Sequence, residues 1–321
     1  MSVSARAPTK VTLFGEHSVV YGKPAIVFSM PIYINVKLSL SDDLMVITGP
    51  VSLRSVDLVI SKDKIEVGDL VRKQMEKYVS YVVEALQTIG VEGARVEIES
   101  PMPVGAGVGT SAAVTVGTIA AACALKRCGL NKEGIAKLAW EVEKKVQGKA
   151  SPMDTFASAL GGVLWIEKED SGWKIERLSV DQLPLVVGIF EKRKTTAELV
   201  REVALKVQRS EIYKDIIELM GKIAREAREA LIKGDLKELG ELMKLNNAML
   251  EALGLVTKEV SNAIHAAELA GAYGAKASGA GSGGAVVALA EDVKAVRAAL
   301  LASGAKKVFI VENPSRGVEL I

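Results

Sequence analysis

Pro103-Val104-Gly105-Ala106-Gly107-Val108-Gly109-Thr110-Ser111-Ala112-Ala113 is the stretch from which the rest of the chain is read. Three glycines alternate and then meet a hydroxyl pair that opens an apolar helix, expected over Ser111–Arg127. Glycine lets the backbone come close to an anion and turn its N–H groups toward it. The helix N-terminus adds about half a positive charge. Residues 103–112 are therefore candidate phosphate contacts, and Ser111 is a residue that either caps the helix or ligates Mg²⁺. A glycine-rich turn ending in an N-cap gives the same pattern. The stretch is not a Walker loop, because no Gly-Lys-Ser/Thr follows, and its glycine spacing is not that of the dinucleotide fingerprint.

Outward from this loop, the first half of the chain is mixed. Strands are expected at Val11–Phe14, Ile32–Leu40, Leu44–Thr48, Asp57–Ile60 and Ala94–Glu99, and a helix at Leu70–Ile89 closed by Gly90. After the loop come helices at Ser111–Arg127, Lys132–Val146 and Pro152–Leu160, then strands at Val163–Ile166, Lys174–Leu178 and Leu185–Phe190. A charged helical section follows: Thr195–Gln208, Ile212–Lys233, Leu236–Leu253 and Lys258–Ala270. A glycine cluster at Gly271–Gly284 leads to a strand at Ala285–Ala290, a helix at Val293–Leu301 and a last strand at Lys307–Val311. A domain boundary falls near Ser179–Pro184, dividing the chain into 1–180 and 181–321.

Composition bounds the partners. The 321 residues allow about two domains. With 49% hydrophobic and 25% charged residues the chain is an ordinary globular protein, and a net charge of +2 gives no general case for nucleic acid or a membrane surface. Ser100–Leu125 carries no charge, but its helical part is 15 residues. That is about 22 Å, short of a ~30 Å hydrocarbon core. No signal peptide is read at the N-terminus, so a cytoplasmic enzyme is expected. Cys123 and Cys128 read as small buried hydrophobes, and with His17 and His265 the only histidines and no Cys/His ligand spacing, no zinc site is expected.

Two carboxylates follow the loop. Glu143 falls late in a helix, and Asp154 follows Ser151-Pro152. Ser at the N-cap, Pro at the first helical position and a carboxylate at the third make an ordinary helix start. The alternative is chemical: Glu143 holds Mg²⁺ and Asp154 takes a proton from an alcohol, as phosphoryl transfer requires a metal clamp and an oriented nucleophile. Spacing alone leaves both open. Lys10 lies in the first strand, ahead of Gly15-Glu16-His17-Ser18-Val19-Val20-Tyr21-Gly22, a crowd of polar groups suited to a polar ligand. Ala277-Ser278-Gly279-Ala280-Gly281-Ser282-Gly283-Gly284 is a second glycine loop.

Together, Lys10 with Gly15–Gly22, Pro103–Ala113 and Ser278–Gly284 resemble the three ordered motifs of the GHMP kinases, over essentially the whole chain. Gly-Glu-His-Ser-Val-Val-Tyr-Gly is similar to the mevalonate kinase branch, where galactokinases usually follow that His with Thr-Asp. The resemblance implies an α+β fold: an N-terminal ribosomal protein S5 domain 2-like domain, a C-terminal ferredoxin-like domain, and a cleft between them. It implies ATP and Mg²⁺, with Ser111 and Glu143 on the metal, Asp154 as base toward the C5 hydroxyl of mevalonate, and Lys10 assisting. It implies Glu16, His17, Ser18 and Thr196 toward mevalonate, a role in isoprenoid biosynthesis, and leaves room for a homodimer. Two departures stand out: Gly107-Val108-Gly109-Thr110-Ser111 replaces the frequent Gly-Leu-Gly-Ser-Ser, and Pro152 replaces a frequent Gly. Lys192-Arg193-Lys194 is a basic cluster suited to a phosphorylated acceptor, which keeps phosphomevalonate kinase and homoserine kinase as alternatives. A sensor that had lost catalysis would be expected to lack Glu143 or Asp154.

Overall fold

The computed structural model describes residues 2–48, 56–60, 69–102, 106–148 and 150–321. Two long strands, β1 (Ser2–Phe14) and β2 (Ala25–Leu40), run antiparallel along most of their length. Their register slips between Pro8 and Lys10, opposite Pro31. Pro8 is partnered with Tyr33 and Lys10 with Ser29, and Pro31, which cannot donate to the ladder, falls in the bulge between those pairs. The bulge divides each strand into two usable halves. β3 (Leu44–Thr48), β4 (Val56–Ile60), a helix α1 (Asp69–Ile89) and β5 (Ala94–Glu99) follow. The outer half of β2 pairs with β5, and the inner half pairs with β6 (Val163–Glu169), itself in a hairpin with β7 (Gly172–Leu178).

Between β5 and β6 lie α2 (Thr110–Lys126), α3 (Lys132–Gln147) and α4 (Met153–Leu160). The second half carries β8 (Leu185–Phe190), α5 (Thr196–Arg209), α6 (Glu211–Lys233), α7 (Leu236–Ala252), α8 (Lys258–Leu269), β9 (Ala272–Ser278), β10 (Gly284–Ala290), α9 (Val293–Ala302) and β11 (Lys307–Val311). These strands form a four-stranded antiparallel sheet in the order β11-β8-β10-β9. The last strand, β12 (Glu319–Leu320), returns to pair with β1 in the first sheet. The described residues contain no helix long and apolar enough to cross a membrane.

Burial follows the two-residue period of strands. In β8, Leu185, Val187 and Ile189 face a core shared with Val11, Phe14 and Phe28 of the first sheet. Val186 and Phe190 face a separate core with Leu199, Val260 and Leu300. A third core lies between the first sheet and α1–α4, around Val36, Ile119, Val142 and Phe156.

Three expectations change. β9 falls in what reads as a glycine cluster, because Ala-Tyr-Gly-Ala-Lys-Ala-Ser has little β-branched character. Its strand state follows from the antiparallel ladder with β10, and α7 packs on it so closely that a Cβ on Gly240 would meet the Tyr273 carbonyl carbon at 2.5 Å. Cys128 is exposed, not buried, since it follows the end of α2 at Lys126; Cys123 is buried. Pro152, not Ser151, is the N-cap of α4, and no side chain caps that helix.

Candidate active site

A cleft of about 1240 Å³ collects residues from both sheets. Beyond the β1 bulge, Lys10 and Thr12 project from one face of the strand into it. Lys10 is almost fully buried, and its Nζ lies 2.8 Å from Asp154 Oδ1 and 3.0 Å from Thr12 Oγ1. Asp154 occupies the first turn of α4 with its side chain about one-third exposed, so its carboxylate reaches the cleft while Lys10 anchors it from below. The helix-capping account of Asp154 loses its support here, because the carboxylate makes an ion pair and no capping bond.

Above this pair runs the phosphate-loop candidate. Pro103, Val104 and Gly105 lie outside the described residues. Gly107, Gly109, Thr110 and Ser111 line the cleft, as does Ala106, whereas Val108 and Ala112 are buried. Gly109 has φ +71° and is the N-cap of α2. A Cβ at Gly109 would sit 3.0 Å from Lys10 Cγ, so glycine leaves room for the lysine stem. No side chain caps α2, and no acidic residue lies in its first turn. Its leading N–H groups are thus available to an anion. Ser111 is inside the helix and does not cap it. Tyr78 of α1 donates to Thr110 Oγ1 at 2.6 Å, and burial pushes its phenol up to about 12.

The second glycine loop braces the first. The Gly107 carbonyl oxygen lies 2.8 Å from where a Cβ on Gly279 would be. Ser278 Oγ donates to the Thr12 carbonyl at 3.0 Å and accepts from its N–H at 2.9 Å, tying β9 to β1.

The Gly15–Gly22 loop forms another wall. His17 adopts φ +58°, an uncommon value for a residue with a side chain, and its Nε2 lies 2.9 Å from the Ala280 carbonyl. Burial lowers the His17 pKa, opposed by that hydrogen bond and reinforced by the nearby Lys192. A neutral ring donating Nε2–H to the carbonyl follows. Glu16 is buried at the cleft wall and pairs with Lys276 of β9. Ser18 is fully buried and does not line the cleft. Thr196, at the start of α5, does line it and accepts from Lys192 Nζ at 3.0 Å.

Glu143 of α3 is buried and reaches the cleft, where its charge, after burial, helps push the Tyr81 phenol up. The described residues contain no group of three His, Cys, Asp or Glu side chains fit to hold a metal alone. A hydroxyl and one carboxylate fit Mg²⁺, which takes few protein ligands beside substrate phosphates and water. The basic cluster Lys192-Arg193-Lys194 lines the cleft, but Arg193 is paired with Glu259 at 2.6 Å and Lys194 with Glu202 at 2.7 Å. Lys276 was not singled out by sequence; the available signal was a lone charge in an otherwise small-residue segment.

The family model for the GHMP kinases N terminal domain matches residues 77–162, and that for the GHMP kinases C terminal matches residues 227–306. A mevalonate kinase of Pyrococcus horikoshii is 41% identical over 300 residues, which span 90% of this chain and 88% of its own. A mevalonate kinase of Pyrococcus furiosus is 37% identical and spans 100% of this chain and 98% of its own. The crystal structure of L. major mevalonate kinase in complex with R-mevalonate superposes with a TM-score of 0.79 at 25% identity, covering 96% of this chain and 94% of that one.

Proposed function

The chain belongs to the GHMP kinases, in their mevalonate kinase branch, and from that premise we propose that it moves the γ-phosphoryl group of ATP to the C5 hydroxyl of mevalonate. The observation that carries this reading is the Lys10–Asp154 pair beneath the start of α2. In the reaction Asp154 accepts the hydroxyl proton as the alcohol oxygen bonds to the γ-phosphorus and the bond to the β-phosphate oxygen breaks, releasing ADP. Lys10, 2.8 Å from Asp154 Oδ1, orients that carboxylate and offsets charge developing on the attacking oxygen. Gly107, Gly109 and the first N–H groups of α2 hold phosphate oxygens. Ser111 and Glu143 would hold Mg²⁺, which neutralises charge on the β- and γ-phosphates. Residues 1–180 thus supply the phosphate side and the base, and residues 181–321 the second glycine segment and Thr196. Glu16, His17 and Thr196 bound the acceptor.

An unphosphorylated acceptor is favoured over phosphomevalonate because two of the three cations at Lys192–Lys194 already face glutamates. The test is direct. Purified protein with ATP and Mg²⁺ is offered mevalonate, phosphomevalonate, homoserine and galactose separately. Mevalonate should be phosphorylated with the highest kcat/KM; preference for another acceptor overturns the reading.

A further inference from the structure

Glu16, which bounds the acceptor, is held in a buried ion pair by Lys276, a residue to which the reaction above gives no role. Lys276 is completely buried in β9, and its Nζ donates to Glu16 Oε1 and, at 2.8 Å, to the Ala277 carbonyl. Glu16 lies on the loop after β1 and contributes to the cleft wall. Its second oxygen, Oε2, is buried and has no hydrogen-bond partner. The charged groups that face Glu16 are Lys276 from β9 and Lys10 from β1. His17 stands beside it in the loop, held neutral by burial and facing Lys192.

Unpaired buried polar atoms are uncommon and costly, so one in a residue that lines a cleft calls for a partner. Glu16 lines the cleft with one oxygen spent on Lys276 and the other buried without a partner. We propose that Lys276 is a positioning residue for the acceptor substrate: it holds Glu16 ionised and turned so that Oε2 accepts a hydrogen bond from a hydroxyl of that substrate. The proposal rests on the reading of the cleft given above. It also explains why a lysine is buried in a strand of small residues. Burial alone pushes the Glu16 carboxyl up, toward the neutral acid. Without Lys276 only Lys10 would oppose burial, and the balance would move further toward the neutral acid, which presents a donor hydrogen where an acceptor is needed. Lys276 opposes this directly, and its contact with the Ala277 carbonyl fixes its own direction.

Three variants test the idea: Lys276→Met, Glu16→Gln, and both together. The readouts are KM for mevalonate, KM for ATP, and the pH profile of kcat/KM, with folding checked by thermal melt. Lys276→Met should raise the mevalonate KM roughly 10-fold or more and move the acid limb of kcat/KM up by about one pH unit, as loss of a counter-charge requires. KM for ATP should stay within about 2-fold, because uniform binding of the other substrate is untouched. In the Glu16→Gln background, Lys276→Met should add nothing further, because Lys276 acts only through Glu16. Additive effects, an equal rise in both KM values, or an unmoved pH profile would overturn the proposal. If Lys276→Met alone does not fold, the double variant replaces it: equality with Glu16→Gln supports the proposal, and a larger acceptor KM overturns it. If the unaltered protein does not phosphorylate mevalonate, it is the functional reading that falls. Carboxyl-carbon NMR titration of Glu16 with and without Lys276→Met then decides the coupling, an unchanged midpoint overturning it.

Discussion

Asp154 is where a single side chain separates chemistry from architecture. Its carboxylate meets Lys10 across 144 positions of sequence, and α4 starts at Pro152 without any side-chain cap. Asp154→Asn leaves the buried Lys10 without its partner and should cost roughly 1–3 kcal/mol of stability, while lowering the single-turnover rate roughly 10²–10⁴-fold. A folded variant retaining more than about a tenth of the rate would remove Asp154 as base. Lys10→Met should slow the same step, and the double variant should fall short of the product of the two losses. Lys10 was legible with the first motif and Asp154 as a carboxylate at a helix start. Their pairing was not, because no spacing rule connects a strand near the N-terminus to a helix start beyond the second motif. His17 gives a pH dependence. Its native pKa is lowered from 6.5 by burial, so the stability it contributes is present above 6.5 and is lost as pH falls through the lowered native value. The melting temperature should drop across that acid window, and His17→Gln should flatten that part of the curve. An identical pH–Tm curve for the variant would show that His17 does not carry it.

Helices and strands carry the site through close backbone contact. α7 and β9 meet where Gly240 faces Tyr273 and Gly274, with the Gly240 carbonyl oxygen 2.1 Å from where a Cβ on Gly274 would lie. Gly240→Ala should destabilise by roughly 1–3 kcal/mol or more, since the obstruction is backbone and cannot rotate away. Urea midpoints measure this, and a loss below about 0.5 kcal/mol would mean that α7 stands further from the sheet. Gly109→Ala acts differently. It combines a left-handed φ with a Cβ pressed on the Lys10 stem, so the rate should fall more than stability does. Equal loss of rate and stability would place its effect in folding alone. β8 and β11 were readable to the residue, because Leu-Val-Val-Gly-Ile-Phe and Lys-Val-Phe-Ile-Val are dense in β-formers. The inner half of β2 was hidden behind Pro31, and the start of β1 behind Pro8, since proline reads as a strand boundary unless a bulge absorbs it. β9 was illegible for a different reason: its strand state comes from its ladder with β10, and its small residues, which suit close packing under α7, carry little strand propensity of their own.

The molecule is held together by a chain that leaves the first sheet and comes back to it. After β11 the backbone crosses to the first sheet, where the Ser315 carbonyl accepts from Gly162 N–H at 2.8 Å and its N–H donates to the Ser29 carbonyl at 2.8 Å. Its hydroxyl meets Ser29 Oγ at 2.7 Å, Val318 N–H donates to the Ala159 carbonyl, and Ile321 N–H to that of Ser4. Arg6 pairs with Glu319 at 2.6 Å, though on a partly exposed surface where such a pair adds little. Ala159 and Gly162 flank the C-terminal end of α4, so this segment braces the same short helix whose first turn presents Asp154. The core around Val11, Phe28, Val187 and Leu242 draws on both sheets, which couples the two halves a second time. Unfolding one half would expose apolar surface of the other, and stability of that kind is lost in one step. Calorimetry of the intact protein should accordingly show one transition with matching calorimetric and van't Hoff enthalpies. Removing residues 315–321 abolishes these five hydrogen bonds, worth roughly 3–7 kcal/mol at about 0.5–1.5 kcal/mol each. The truncated chain should melt at a lower temperature and turn over more slowly, because α4 loses its far support while Lys10 still holds its near end. Two resolved transitions in the intact protein would mean that the shared core does not couple the halves. A truncated protein that melts lower but keeps the full rate would mean that Lys10 alone is enough to position Asp154.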